Sequence, residues 1–191
     1  MPNSRLQAEI AAIAAQLIAE FNEDYTSAKR KAARRILGVN QREAEVLPSN
    51  EMVQQALQEY QALYQAEVQP VRLLALRRIA LSVMQLVPQH SLFLVGAVAN
   101  GHAGEYSEIF LQCYSDSSKE IHIDLLNSGI DASAEEIPNP FGKGRVERLR
   151  FAFSDEIVNI TCYSPSQARQ ICTQLTHRID HIELQRSLTG E

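Results

Sequence analysis

Hydrophobic positions recur at helical spacing along the first half of the chain and largely at strand spacing along the second, and this change of period sets the expected architecture. Leu6, Ile10, Ile13, Ala14, Leu17 and Phe21 fall three and four residues apart and predict a first helix with one apolar stripe. Asn22 to Asp24 interrupt that stripe, and Asp24 or Thr26 can cap a second helix that runs to Gly38, a residue suited to a helix end. Periodicity fades over residues 39–48, which read as a connector. Ser49 then caps a third helix with the stripe Met52, Val53, Ala56, Leu57, Tyr60, Leu63 and Tyr64, in which the tyrosines read as packing residues. Pro70 suits the first turn of a fourth helix ending near Pro88. Apart from a narrow polar strip of Arg78, Ser82 and Gln85, that helix is apolar nearly all round and is expected to be buried on most sides.

From Leu92 the pattern changes. Residues 92–98 form a nearly continuous apolar run that predicts a strand covered on both faces, and Asn100, Gly101 and Gly104 break it into a loop. Glu108, Phe110 and Gln112 then alternate with Ile109, Leu111 and Cys113, so that a second strand packs one face on a core and turns the other outward. Residues 119–127, preceded by serines and followed by Gly129, read as a helix, although Ile121, Ile123 and Leu125 also alternate with His122 and Asp124. A short strand over 132–137, a loop over 139–144 and a hairpin turning at 154–156 follow. Ser164 and Pro165 open a last helix with Ala168, Ile171, Cys172 and Leu175 facing inward. The expected fold class is α+β, with a helical layer over residues 1–88 packed on a small mixed sheet domain over residues 89–191.

Charge narrows the functional classes. With 18 basic and 23 acidic residues the net charge is −5, which argues against a dedicated nucleic-acid binder on bulk electrostatics. The second helix is a local exception: Arg30, Lys31, Arg34 and Arg35 share one face opposite Tyr25, Ala28, Ala32, Ala33 and Ile36, which suits either phosphates or a solvated face. Lys29 falls in the apolar arc, so its ammonium either escapes along the core surface or finds an anion, such as Glu108 or a bound phosphate. Lys143, Arg145, Arg148 and Arg150 read as a phosphate-facing rim or as the charges of an edge strand. His177 and His181 have the spacing of a metal-binding pair but lack a third ligand, so no metal site is expected. The three cysteines have no C-x-x-C spacing and read as small buried hydrophobes. Without a signal-like segment or a membrane-length apolar run, a cytoplasmic setting with no membrane partner is expected.

The stretch 92–111, LFLVGAVANGHAGEYSEIFL, resembles the opening of the nucleotidyltransferase superfamily, in which a strand, a Gly-Ser turn, a loop and a strand bearing Asp-x-Asp or Asp-x-Glu follow one another. Gly96-Ala97 stands at the turn and Ser107-Glu108-Ile109-Phe110 at the Ser-Asp-x-Asp. In that family the turn holds the phosphates of a nucleoside triphosphate and the carboxylates hold magnesium. The resemblance implies a minimal nucleotidyltransferase fold and a ligand site at Gly96, Asn100, Gly101, His102, Ser107 and Glu108, with His102 as a phosphate or base contact. Phe110 replaces the second carboxylate, and an aromatic ring cannot ligate a hard cation. The family's third carboxylate lies on a later strand, where residues 157–163 offer only Asn159 and Thr161. The expectation is therefore a pseudoenzyme with no resident cofactor, binding a nucleotide, a nucleic acid or a protein partner. One alternative is an active magnesium-dependent enzyme that uses Glu108 with carboxylates from elsewhere, such as Asp116 or Asp155. Another is a structural or regulatory adaptor.

The wider sequence, including DYTSAKRKAARRILG, is also similar to a proteobacterial family with a degenerate version of this domain. Such sequences sometimes carry the name muramate-alanine ligase. The chain does not support that name, since it contains no G-x-x-x-x-G-K-[ST] loop.

Overall fold

The computed structural model describes residues 2–21, 23–38, 46–115, 117–168, 171 and 177–190. Contacts divide the chain into two compact units, one formed by residues up to Arg72 with His102–Ser107, the other by Leu73–Gly101 with the chain from Glu108 on.

The helical unit contains α1 (Pro2–Phe21), α2 (Tyr25–Leu37) and α3 (Asn50–Tyr64), with α1 packed against both of the others. Its core is made largely of small side chains: Ala11, Ala14, Ala28, Ala32 and Ala33 are buried with Ile10 and Val53. Caps stand where the sequence places them. Asp24 accepts hydrogen bonds from the Thr26 and Ser27 amides, and Ser49 accepts one from Met52. Gly38 ends α2 with φ 76°, its amide donating to the Arg34 carbonyl. The predicted stripes run past the buried surface, however. Phe21, Leu63 and Tyr64 lie at helix ends and are 66, 76 and 72% exposed.

Helix α4 (Val68–Leu86) is less enclosed than its composition suggests. Leu76, Ala80, Val83 and Met84 are buried, but Val68 and Val71 are 69 and 68% exposed. Leucine-rich composition alone does not say how many neighbours a helix has.

The sheet unit contains β1 (Leu92–Val95), α5 (Gly96–Asn100), β2 (Ile109–Tyr114), α6 (Ser118–Asn127), β3 (Ser133–Pro138), β4 (Arg145–Phe153), β5 (Glu156–Tyr163) and α7 (His181–Thr189), with a 3-10 turn at Pro165–Gln167. The strands form one mixed sheet in the order β1-β2-β5-β4-β3, in which β2 and β5 are parallel and the other neighbours antiparallel. The structure is therefore α+β. Ile109, Leu111, Leu149 and Ile160 from one face of the sheet are fully buried, as are Ile121 and Leu125 of α6.

Four expectations need correction here. The apolar run 92–98 is not one strand: β1 stops at Val95, and Gly96, with φ 72°, turns the chain into α5. So short a helix leaves carbonyls unpaired at its end, and Arg77 of α4 donates from Nε to the Val98 oxygen at 3.2 Å and from Nη2 to the Ala99 oxygen at 3.0 Å. Strand β4 is not an edge strand, because β3 pairs along its outer side. Gln112 is 3% exposed although it lies on the face read as outward. His177 and His181 do not share a helix, since α7 begins only at His181. The cysteine reading is matched at Cys113 and Cys162, both buried; Cys172, Leu175 and most of residues 39–48 lie outside the described residues.

Candidate functional site

The polar cluster of the sheet is assembled by strand register. Phe110 of β2 is paired with Asn159 of β5, and Asn159 with Arg150 of β4, so alternation turns all three side chains to one face. Glu108 immediately precedes β2, two residues before Phe110, and joins the same face.

Both oxygens of Glu108 are occupied. Arg150 binds it through two parallel hydrogen bonds, Nη2 to Oε1 at 2.8 Å and Nη1 to Oε2 at 3.1 Å, and Asn159 Nδ2 donates to Oε2 at 2.8 Å. Asn159 is fully buried, so its amide fixes the carboxylate from below; the Arg150 and Glu108 side chains are 40 and 27% exposed. This fork-to-fork geometry is among the more specific ways a carboxylate is neutralised by protein. It places a fixed positive charge against the one acid that the sequence motif retains.

Phe110 fills the neighbouring position. Its ring lies beside Gly96, where a Cβ would meet Phe110 Cδ2 at 3.9 Å, and the Arg148 guanidinium stands 5.8 Å from the ring centroid. Arg148 also reaches Glu135 of β3 at 3.6 Å, and Arg145 reaches Glu136 at 3.2 Å. The basic residues read as a rim are thus mostly matched to acids across the sheet, while Lys143 is exposed in the β3–β4 loop.

The six ligand residues expected from the sequence fall in both units. Gly96, Asn100, Gly101 and Glu108 belong to the sheet unit, His102 and Ser107 to the helical unit. Gly101 closes α5 in the left-handed region, its amide donating to the Ala97 carbonyl. Ser107 Oγ accepts from the Gly104 amide at 3.0 Å and so holds its own turn. Gln61 and Gln69 donate to the carbonyls of His102 and Ala103 at 2.9 and 3.1 Å. The His102 ring is buried with no hydrogen-bond partner on Nε2, and burial pushes its pKa below the ordinary imidazole range.

On α2, Lys31 pairs with Glu23, while Lys29 Nζ donates to Asn50 Oδ1 at 2.8 Å and to the Pro48 carbonyl at 3.3 Å. Lys29 thereby ties α2 to the start of α3. Arg30, Arg34 and Arg35 are exposed. Asp155 sits in the exposed β4–β5 turn with φ 65°, and Asp116 lies outside the described residues. Among the described residues no group of three or more His, Cys, Asp and Glu side chains is arranged to hold a metal ion.

Sequence reasoning singled out Glu108 and Asn159 but not their partnership with Arg150. The bond joins residues 42 positions apart, and only the strand order brings them together.

Neither a family model nor a curated protein matches the chain. Among solved structures the chain is similar to a cytoplasmic RNA terminal U-transferase, with a TM-score of 0.31 and 18% identity over 46% of this chain and 26% of that one. The chain thus matches about a quarter of that protein's length.

Proposed function

We propose that the sheet unit is a nucleotidyltransferase-like module that binds a nucleotide without metal-dependent catalysis. The observation that carries this reading is the Glu108–Arg150–Asn159 cluster. Nucleotidyl transfer relies on cations that clamp the attacking and leaving oxygens, and a carboxylate must be open to such an ion. Glu108 instead has its charge satisfied by a guanidinium, and its neighbour two residues on is a phenyl ring.

What the face does offer suits recognition. A partly exposed aromatic ring bordered by Arg148 and Arg150 can stack a base and meet phosphate oxygens with no ion in between.

The test is a titration of a nucleoside triphosphate into wild type and Glu108→Ala, each with magnesium and with a chelator. Removing Glu108 releases Arg150, so the variant is expected to bind several-fold more tightly, by about 1 kcal/mol for one freed charged contact. Magnesium should change neither affinity appreciably. Equal and negligible binding by both proteins would remove the face from the account. Pyrophosphate release abolished by Glu108→Gln would establish the catalytic alternative instead.

A further inference from the structure

Leu63 and Tyr64 are the two most exposed large apolar side chains among the described residues, and the next four, Val68, Val71, Phe21 and Tyr106, also belong to the helical unit. Single exposed apolar residues are ordinary, but neighbouring ones beside a groove mark a surface that meets a partner. Leu63 and Tyr64 border such a groove, of about 340 Å³, between α1 and α3. Ala12 and Ala56 keep its floor low, and Ile13, Gln16 and Tyr60 line its length.

The two helices run in the same direction: Ile10 shares a buried cluster with Val53, Ala15 and Ala19 share one with Leu57, and Tyr60 Oη donates to Glu20 Oε1 at 2.5 Å. Gln16 Nε2 donates to the same carboxylate at 3.2 Å, so one end of the groove is held by a fixed hydrogen-bonded group. Between Ala12 and Glu20 α1 rises by about 12 Å, enough for two turns of a further helix laid alongside. Helix walls present no free backbone N–H or C=O, so an extended peptide finds nothing there to pair with.

Charge selects the occupant. Glu59 is the charged residue of the lining, and no lysine or arginine lines the groove. Over their whole lengths α1 and α3 carry four acids, Glu9, Glu20, Glu51 and Glu59, against one base, Arg5, which is paired with Glu9 at 3.4 Å. A second copy of the same face would set acid against acid, which is unfavourable. We propose that the groove docks a basic amphipathic helix of a partner protein, with its apolar stripe on Ala12, Ala56, Leu63 and Tyr64 and its lysine or arginine side chains beside Glu59 and Glu20. This docking is independent of what the sheet unit binds.

The probes are two synthetic peptides of about 14 residues, four helical turns, with the same leucine stripe and either lysine or glutamate at the remaining positions. Each is titrated into the full chain by fluorescence anisotropy at about 0.15 M salt, where long-range attraction to the net charge of −5 is screened. The leucine-lysine peptide should bind saturably, one to one, and at least about tenfold more tightly than the leucine-glutamate peptide. Leu63→Ser with Tyr64→Ser strips the apolar rim without changing the charge, and should weaken the lysine peptide at least about tenfold, the factor for losing one buried apolar side chain. Glu59→Lys should weaken it several-fold, whereas Asp131→Lys, the same charge change at an exposed position of the sheet unit, should leave it unaltered. Absence of saturable binding overturns the proposal, as does equal binding of both peptides, wild-type affinity in the folded double variant, or an Asp131→Lys loss as large as that of Glu59→Lys. A wild-type dimer in sedimentation that the double variant dissolves overturns it too, by giving the face to a second copy. Should the double variant fail to fold, Leu63→Ser alone decides.

Discussion

A glutamate just before β2, an arginine on β4 and an asparagine on β5 carry the chemical reading of this chain. Because Asn159 is fully buried and holds Glu108 from within the sheet, the carboxylate is a fixed feature of the fold and not a mobile surface acid. Arg150→Ala should therefore destabilise the protein by about 1–2 kcal/mol, the range for losing a charge-assisted pair that is partly solvated. Urea unfolding would check this, and no change in midpoint would mean that solvent already screens the pair.

His102 allows a second test at the same scale. Its folded-state pKa lies below the unfolded value, so the unfolded chain takes up a proton first as pH falls. Stability should decline as pH drops below about 6.5 and level off beneath the folded-state value. His102→Gln should lose that component of the slope between neutral and mildly acidic pH, and an unchanged slope would show that the ring is hydrated in the folded protein.

At the level of elements, α5 shows how a turn is specified by one residue. Gly96 has φ 72°, a region costly for L-residues, yet a Cβ there meets nothing closer than the 3.9 Å contact with Phe110. Gly96→Ala should then cost about 1–2 kcal/mol through backbone strain and not through a clash. A drop in thermal midpoint with unchanged circular dichroism is the expected signature; no drop would mean the backbone relaxes freely.

The same stretch marks where the sequence was readable and where it was not. Caps at Asp24 and Ser49, the stop at Gly38, the helix over α6 and the β4–β5 hairpin follow from local chemistry, and each stands in the structure. The run 92–98 misled because a short apolar segment fits a buried strand and a buried helix equally well, and its alternative partner, Arg77, lies on another helix. Likewise Arg150 looked like an edge-strand charge because pairing with β3 is not written in β4 itself. The turn that begins α7 had no strong local signal beyond Asp180, which caps it through the Glu183 amide.

For the molecule as a whole, the helical unit and the sheet unit are each compact, and no described helix is long and apolar enough to cross a membrane. The outer edge of β1 is closed by a two-way hydrogen-bond bridge between Leu94 and Ile179 at 2.8 and 2.9 Å, which limits strand addition there. If the molecule carries no functional cation site, magnesium alone should leave its thermal midpoint unchanged, whereas a bound nucleotide should raise it by mass action. A magnesium-induced rise without nucleotide would point to an ion site that the Glu108 cluster does not supply.

The most direct measurement is the affinity of a nucleoside triphosphate for Glu108→Ala relative to wild type, taken in chelator. The variant should bind more tightly, because a guanidinium once spent on an internal acid becomes available to phosphate. Binding that requires magnesium and disappears with Glu108 would contradict it and restore the acid as a metal ligand.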